Sequence, residues 1–452
     1  MEDTHQPVKF TVSGLRGVWG ENFNEAVATE YITAFAHFLR KNLKEGIKQK
    51  ILIGYDARKS GPIIKQIAIR VLTSAGFDVI DGGLLPTPTV LFLVRTQKYD
   101  GALMLTASHN PPEYNGIKFI TKSALFTNQD EVAEIKNSLG KTLPIVPQGS
   151  YSISRDLGKN HIDHILANVD AALIREKKFT VILDAINSVG SFLGPMLLEA
   201  LGCRLVVLNG VPNGEFAHMP EPLPENLTQL GSMTKALGAH IGFALDPDGD
   251  RLVVCDEKGT VIFEEYTLTL AITAVLKKTP GDIVTNLSTT NTNKDIVEAL
   301  GFKNHRTKVG EANVVEGIQK YDAVIGGEGG GGVIYPKINL ARDGLAGMAL
   351  ILESLATDNK TVSELVATFP KYIFIKEKMP FSGDLTNAIQ KVIALFPEGV
   401  ADLQDGLRID FPDSSWIQLR ASNTEPIIRI FGEAKDRQSI MDKIKKTKGT
   451  LQ

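Results

Sequence analysis

The stretch ILIGYDARKSGPIIKQIAIRVLTSAGFDVI, residues 51–80, sets the fold. It opens with an apolar segment that reads as a buried strand and passes through a polar turn. Ile64, Ile67 and Val71 then recur at i, i+3 and i+7, one face of a helix. Ser60-Gly61-Pro62 predicts a cap with a first-turn proline, and Gly76 predicts the helix stop before a second strand. The pattern returns in TVILDAINSVGSFLGPMLLEALGCRLVVL, residues 180–208, where Leu201-Gly202-Cys203 stands in place of Ala75-Gly76-Phe77. A third copy starts at Asp282 and ends at Leu300-Gly301-Phe302. Strand, helix, glycine, strand is a βαβ unit and implies a mainly parallel sheet. The copies lie too far apart for a solenoid, whose repeats run roughly 20–50 residues. The tail differs: LRIDF (407–411), WIQLR (416–420) and IIRIFGEA (427–434) are strands joined by short turns, followed by a helix at MDKIKKT. The expected fold class is therefore α/β, with three consecutive mixed-sheet α/β domains and a smaller C-terminal α+β domain. The expected boundaries are 1–150, 151–256, 257–370 and 371–452.

Composition narrows the function. Hydrophobic residues make up 43% and charged residues 22%, with a net charge of −3, as in an ordinary soluble globular protein. So balanced a chain carries no global field for nucleic acid, and any anionic ligand needs a local cluster of cations. The opening MEDTHQPVKF is not a signal peptide. No run of about 18 apolar residues exists to span a membrane. Cys203 and Cys255 make neither a disulfide scaffold nor a zinc motif. The expectation is a cytoplasmic protein with no nucleic-acid or membrane partner. His161 and His164 share one face of a predicted helix, but no third ligand lies nearby in sequence, so this pair is read as no metal site.

Four motifs carry chemistry. Thr106-Ala107-Ser108-His109-Asn110-Pro111-Pro112 follows the apolar strand GALML, which places Ser108 where open α/β sheets bind ligands. It lacks the G-x-S-x-G of a serine hydrolase. Asp246-Pro247-Asp248-Gly249-Asp250-Arg251 sits between two predicted strands. Three carboxylates this close repel one another unless a cation lies among them, and oxygen-only ligands select magnesium or calcium. An EF-hand is a poor fit, because Arg251 stands where that loop needs glycine and the flanks are strands. Gly326-Gly327-Glu328-Gly329-Gly330-Gly331-Gly332 satisfies G-x-G-x-x-G in form, but a strand-like VIYP follows it where a dinucleotide site needs a helix. Glycines around one carboxylate suit a backbone lying close to a polar ligand. Arg420-Ala421-Ser422-Asn423-Thr424-Glu425-Pro426, with Arg429 beyond, joins two strands and offers hydroxyls, turn amides and guanidinium groups to an anion.

Together, and in this order, these motifs resemble the alpha-D-phosphohexomutase family, which contains phosphoglucomutases, phosphomannomutases and phosphoglucosamine mutases. The resemblance covers nearly the whole chain. Ser13-Gly14-Leu15-Arg16-Gly17 resembles the family's arginine loop, residues 106–118 its phosphoserine loop and DPDGDR its metal loop. GEGGGG resembles its sugar-binding loop and RASNTEP its phosphate-binding loop. The resemblance implies four domains around a central cleft and one magnesium ion held by Ser108, Asp246, Asp248 and Asp250. It implies a phosphate relay through Ser108, with a hexose 1,6-bisphosphate as intermediate and activator. Arg16 and Arg251 would add positive charge. Lys118 is the first candidate for general acid/base, its pKa lowered by neighbouring cations, and His109 is the second. Glu328, Arg420, Ser422, Asn423, Thr424 and Arg429 would bind a phosphorylated hexose. Gly330 and Gly332 replace a serine and a histidine common in the sugar loop. Asn423 replaces a glycine, and the opening loop lacks the Thr-Asp that often precedes Gly-Leu-Arg. The glycine-rich sugar loop with Ser-Asn-Thr-Glu-Pro looks most like a bacterial phosphoglucosamine mutase branch. Phosphomannomutase or phosphoglucomutase activity, a phosphatase, and a sugar-phosphate binder without catalysis remain the alternatives. The expected assembly is a monomer or homodimer.

Overall fold

The computed structural model describes residues 8–41, 49–421 and 427–451. In the first repeat, Lys50–Tyr55 is a strand, Gly61–Ser74 a helix and Asp78–Leu84 a second strand. Gly76, at φ +88°, turns the chain between helix and strand, a conformation that suits glycine. Ser60 departs from expectation. It makes no side-chain cap bond, and its Oγ instead accepts from Asn115 Nδ2 at 2.7 Å.

These strands lie in a seven-stranded mixed sheet. Its spatial order is Lys9–Thr11, Gly14–Val18, Tyr114–Thr121, Gly101–Leu105, Lys50–Tyr55, Asp78–Leu84, Tyr151–Ile153. Lys50–Tyr55 runs parallel to both neighbours, and Tyr114–Thr121 turns back antiparallel beside Gly101–Leu105. Alternation along the strands builds two cores. Ile51, Ile53, Leu103 and Leu105 join Ile64, Ile67 and Val71 under the helices Glu25–Arg40 and Gly61–Ser74. Leu52, Ala102 and Met104 face the helix Thr87–Gln97 through Val90, Leu91 and Leu93. Burial on both faces explains the nearly unbroken apolar runs.

The second repeat gives a four-stranded sheet in the order Leu252–Cys255, Ile241–Leu245, Thr180–Asp184, Arg204–Leu208. Two of its three pairings are parallel, and the edge strand Leu252–Cys255 pairs antiparallel. The third repeat gives the parallel strands Asn304–Thr307, Ile283–Asn286 and Ile325–Glu328. The tail is an antiparallel sheet in the order Ile373–Pro380, Ile427–Ala434, Trp416–Ala421, Leu407–Asp410, Val400–Asp402, with the helix Arg437–Leu451 after it.

The chain separates into two compact units, Met1–Thr267 with Gly330–Ser363, and Leu268–Gly329 with Glu364–Gln452. Residues read from sequence as a single third domain thus contribute to both units. The helix Gly344–Asp358, apolar on nearly every side, packs on the helices Leu157–Ala167, Ala171–Lys177 and Gly190–Ala200 of the first unit. No helix among the described residues is long and apolar enough to cross a membrane.

Candidate active site

Three strands of the first unit deliver chemistry at their C-terminal ends. Gly101–Leu105 leads into Ser108, Lys50–Tyr55 into Asp56 and Arg58, and Ile241–Leu245 into the aspartate loop. Ser108 sits at φ +51°, in the left-handed region that few serines adopt, and is 3% exposed. Its amide donates to Thr106 Oγ1 at 2.9 Å. Its Oγ lies 3.3 Å from Asp246 Oδ2 and 3.3 Å from His109 Nδ1.

Asp246, Asp248 and Asp250 are fully buried and each brings a carboxylate oxygen within 4.8 Å of the others. The loop turns at Gly249, φ +70°. Lys118 Nζ reaches Asp248 Oδ2 at 2.7 Å and Asp250 Oδ2 at 3.4 Å, and Thr87 Oγ1 donates to Asp248 Oδ2 at 2.5 Å. Arg342 Nη2 donates to Asp250 Oδ2 at 2.6 Å. Asp248 Oδ1 and Asp250 Oδ1 remain buried without a hydrogen-bond partner. Buried oxygens left in this state are costly, and a hard cation would satisfy them. The donor set, all oxygen, therefore fits such an ion.

The electrostatics agree. Burial, then the neighbouring Asp250 and Asp248, push the Asp246 carboxyl well above the usual carboxylate range. Burial acts the same way on Asp248, but Lys118 and the Thr87 hydroxyl outweigh it and hold that carboxyl below its ordinary value. For Lys118 the expectation of a lowered pKa is overturned. Burial does lower it, but Asp248 and Asp250 more than compensate, and the net shift is upward. The residues nearest Lys118 are anions, a fact that only the folded chain reveals. His109 shifts the other way: burial and then Arg251 and Arg16 place it well below the usual histidine value.

Arg16 Nη1 donates to Asn110 Oδ1 at 2.8 Å, so the opening arginine loop meets the serine loop. The Arg251 amide donates to Asp246 Oδ1 at 3.1 Å. Gly331, at φ +88°, has a packing reason as well: a Cβ there would lie 2.1 Å from Leu252 O.

Sequence reasoning missed four participants, Asp56, Arg58, Thr87 and Arg342. Asp56 and Arg58 could have been found, since they end a predicted strand just as Ser108 does. Arg342 carries no local signal and lies 92 residues from its partner Asp250.

In the second unit, Glu328 ends the strand Ile325–Glu328 and is 6% exposed. Its Oε1 accepts from Asn286 Nδ2 at 2.8 Å and from the Gly310 amide at 2.7 Å. Arg420 and Arg429 are direct cross-strand partners. Like charges placed opposite each other are unfavourable without an anion nearby, and Asp405 supplies one at 3.1 Å from Arg420 Nε. Ser422, Asn423 and Thr424 lie outside the described residues. His161 and His164 are spent elsewhere, His161 Nε2 lying 2.9 Å from Asp343 Oδ2 and His164 Nε2 3.1 Å from Lys337 O.

Four consecutive segments match the phosphoglucomutase/phosphomannomutase family. Alpha/beta/alpha domains I, II and III match over residues 7–143, 159–259 and 264–372, and the C-terminal domain over 377–446. A phosphoglucomutase/phosphomannomutase of Thermococcus kodakarensis is 37% identical over 446 residues, 95% of each chain. A probable phosphoglucosamine mutase of Pyrococcus horikoshii is 35% identical, covering 94% of this chain and 93% of that one. A solved phosphoglucomutase/phosphomannomutase family protein of Burkholderia thailandensis superposes with a TM-score of 0.85 at 28% identity, covering 98% of this chain and 96% of that one. The chain belongs to the alpha-D-phosphohexomutase family of phosphoglucomutases, phosphomannomutases and phosphoglucosamine mutases. It is an enzyme of the isomerase class that transfers phosphate within a hexose.

Proposed function

We propose that this protein interconverts hexose 6-phosphate and hexose 1-phosphate through phosphoserine 108, with glucosamine phosphate as its preferred hexose. The observation that carries the reading is the placement of Ser108 Oγ 3.3 Å from a buried triad of carboxylates that keeps two oxygens unsatisfied. A magnesium ion held by Asp246, Asp248, Asp250 and the serine's phosphate would neutralise charge that develops on the transferring phosphoryl group. Every other task falls to side chains. In the first half-reaction the Ser108 Oγ–P bond breaks and a bond from phosphorus to a sugar hydroxyl oxygen forms, while the proton of that hydroxyl is passed to the departing Ser108 oxygen. The resulting bisphosphate, turned end for end, returns its other phosphate to Ser108.

His109, uncharged and 3.3 Å from Ser108 Oγ, is the better-placed proton carrier. Lys118 serves as fixed positive charge beside Asp248, with Arg16, Arg251 and Arg342 adding to the field. Arg420, Ser422, Asn423, Thr424 and Arg429 hold the phosphate that is not being transferred. Glu328 reads the ring, and a carboxylate fixed by two donors attracts the ammonium of glucosamine more strongly than a hydroxyl. Relatives named phosphoglucosamine mutase support this preference, and one named phosphoglucomutase/phosphomannomutase supports the alternative.

The test is a coupled assay on glucosamine, glucose and mannose 6-phosphates with magnesium and catalytic hexose 1,6-bisphosphate. Turnover of all three with the highest kcat/KM for glucosamine phosphate is expected. A higher kcat/KM for glucose or mannose phosphate would reassign the sugar, and no turnover of any would remove the mutase reading.

A further inference from the structure

Arg58 is 1% exposed, and each of its five N–H donors is used. Nε donates to Asp56 Oδ2 at 3.1 Å. Nη1 donates to the carbonyls of Pro111 and Tyr114, at 2.5 and 2.9 Å. Nη2 donates to those of Ser108 and Asn110, each at 2.6 Å. One guanidinium thus gathers three backbone carbonyls of a single loop and that of Tyr114, the first residue of the strand that follows. That loop follows the strand Gly101–Leu105 and contains Ser108 in its left-handed conformation.

A second link runs in parallel. Asp56 Oδ2 accepts from Thr106 Oγ1 at 2.6 Å, and Thr106 Oγ1 in turn accepts from the Ser108 amide at 2.9 Å. Asp56 is therefore tied to Ser108 from both sides, through Arg58 to its carbonyl and through Thr106 to its amide. The aromatic face of Phe216 closes over the guanidinium with its centroid 5.0 Å from Cζ.

We infer that Arg58 is a positioning residue, whose saturated guanidinium draws in the Ser108 loop and so sets the serine hydroxyl beside Asp246. The physical argument is an accounting of polar groups. A loop folded this tightly turns its carbonyls to one side, where no strand can pair with them, and buried carbonyls must find donors. A planar fork with five donors meets that demand in a way that three tetrahedral ammonium donors cannot. Pinning the carbonyls also fixes the peptide planes on either side of Ser108, and with them the direction of its side chain. Small errors in that direction are expensive, because a phosphoryl group must lie in line with both oxygens. Arg58 itself touches neither the hydroxyl nor the triad. The kinetic part of this inference rests on the proposed Ser108 relay, while the loop part does not.

The test compares Arg58→Lys and Asp56→Asn with the unaltered protein, using two independent readouts. The first is amide hydrogen exchange at Thr106, Ser108, Asn110 and Tyr114, whose N–H groups are bonded within the loop or to its neighbouring strand. The second is steady-state kinetics. For Arg58→Lys, exchange at these four amides should rise at least 10-fold, while amides of the strand Ile241–Leu245 keep their protection. Its kcat per folded enzyme, with the folded fraction measured separately by circular dichroism because a smaller folded fraction alone also lowers apparent kcat at constant KM, should fall at least 10-fold with KM held within about 3-fold. Asp56→Asn keeps the volume and weakens only the anchor. It should move both readouts the same way by a smaller factor, and it decides the matter if Arg58→Lys does not fold. Unchanged loop exchange in a folded variant overturns the inference whatever the enzyme does. Faster exchange with unchanged kcat overturns the positioning role. Faster exchange in the variants of a protein whose unaltered form turns over no hexose phosphate supports the loop pinning and sinks the mutase reading instead.

Discussion

The two units each bury a cluster of charges, and the clusters are built on opposite terms. In the second unit, Arg408 is fully buried, stacked 4.0 Å from the Trp416 ring, and bonded through Nε, Nη1 and Nη2 to Asp410, Leu287 O and Asn291 Oδ1. Glu433 accepts from Thr290 Oγ1, the Asn291 amide and Trp416 Nε1. Four of the five N–H donors of Arg408 and both oxygens of Glu433 find partners in the chain itself. In the first unit, three aspartates converge with two oxygens left without a partner. Buried charge that is completed from within fastens elements together. Buried charge left incomplete waits for something from outside. Burial alone does not tell the two apart; the census of partners does.

Four substitutions probe this contrast, in order of effect. Ser108→Ala removes the oxygen proposed to carry the phosphate, and turnover should drop by several orders of magnitude in a coupled assay, with melting temperature little changed. Turnover near that of the unaltered enzyme would end the relay. Asp246→Asn removes one of three crowded charges while its amide can still accept from the Arg251 N–H and face Ser108. Turnover should fall at least about 100-fold, the magnesium-induced rise in melting temperature should vanish, and the metal-free protein should melt roughly 2–4 °C higher, for about 1 kcal/mol. A metal-free protein that melts lower would mean that the triad is self-sufficient.

Glu328→Gln keeps shape and removes charge. A charge-assisted hydrogen bond is worth roughly 1.5–3 kcal/mol, so kcat/KM should fall about 10- to 150-fold, most for glucosamine phosphate. Phosphate on Ser108 should persist in this variant. Unchanged kcat/KM for every sugar would mean that Glu328 does not read the ring. Glu433→Gln is the counterpart of Asp246→Asn and should have the opposite sign. It disturbs a completed set of bonds and should destabilise by about 1–3 kcal/mol in denaturant unfolding, with turnover of the folded enzyme within about 3-fold. A stabilised Glu433→Gln would erase the distinction between the clusters.

Much of this was legible in the chain because the decisive signals are local. The repeat centred on Ile64, Ile67 and Val71 fixes strand, helix and strand within thirty residues, and the aspartates of the metal loop stand two apart. Three strands of the tail were legible for the same reason, Leu407–Asp410, Trp416–Ala421 and Ile427–Ala434 pairing in sequence order, whereas Val400–Asp402 and Ile373–Pro380, which pairs with Ile427–Ala434 from far back in the chain, were not. What escaped depends on residues meeting across the fold. Arg342 reaches Asp250 only because the turn before the helix Gly344–Asp358 packs beside the metal loop, where the Gly344 amide donates to Gly249 O. The surroundings of Lys118 escaped for the same reason: the carboxylates it contacts, Asp248 and Asp250, stand more than a hundred residues further on. The cap expected from Ser60 failed because Asn115, on another strand, claims the hydroxyl.

The most direct measurement is the mass of the peptide containing Ser108 after the magnesium-loaded protein is incubated with a hexose 1,6-bisphosphate. The predicted result is a species about 80 Da heavier, with the phosphate on Ser108 oxygen, which loses that mass when excess hexose monophosphate is added. A peptide that stays unmodified, or a phosphate carried on another residue, would contradict the relay at the centre of this mechanism.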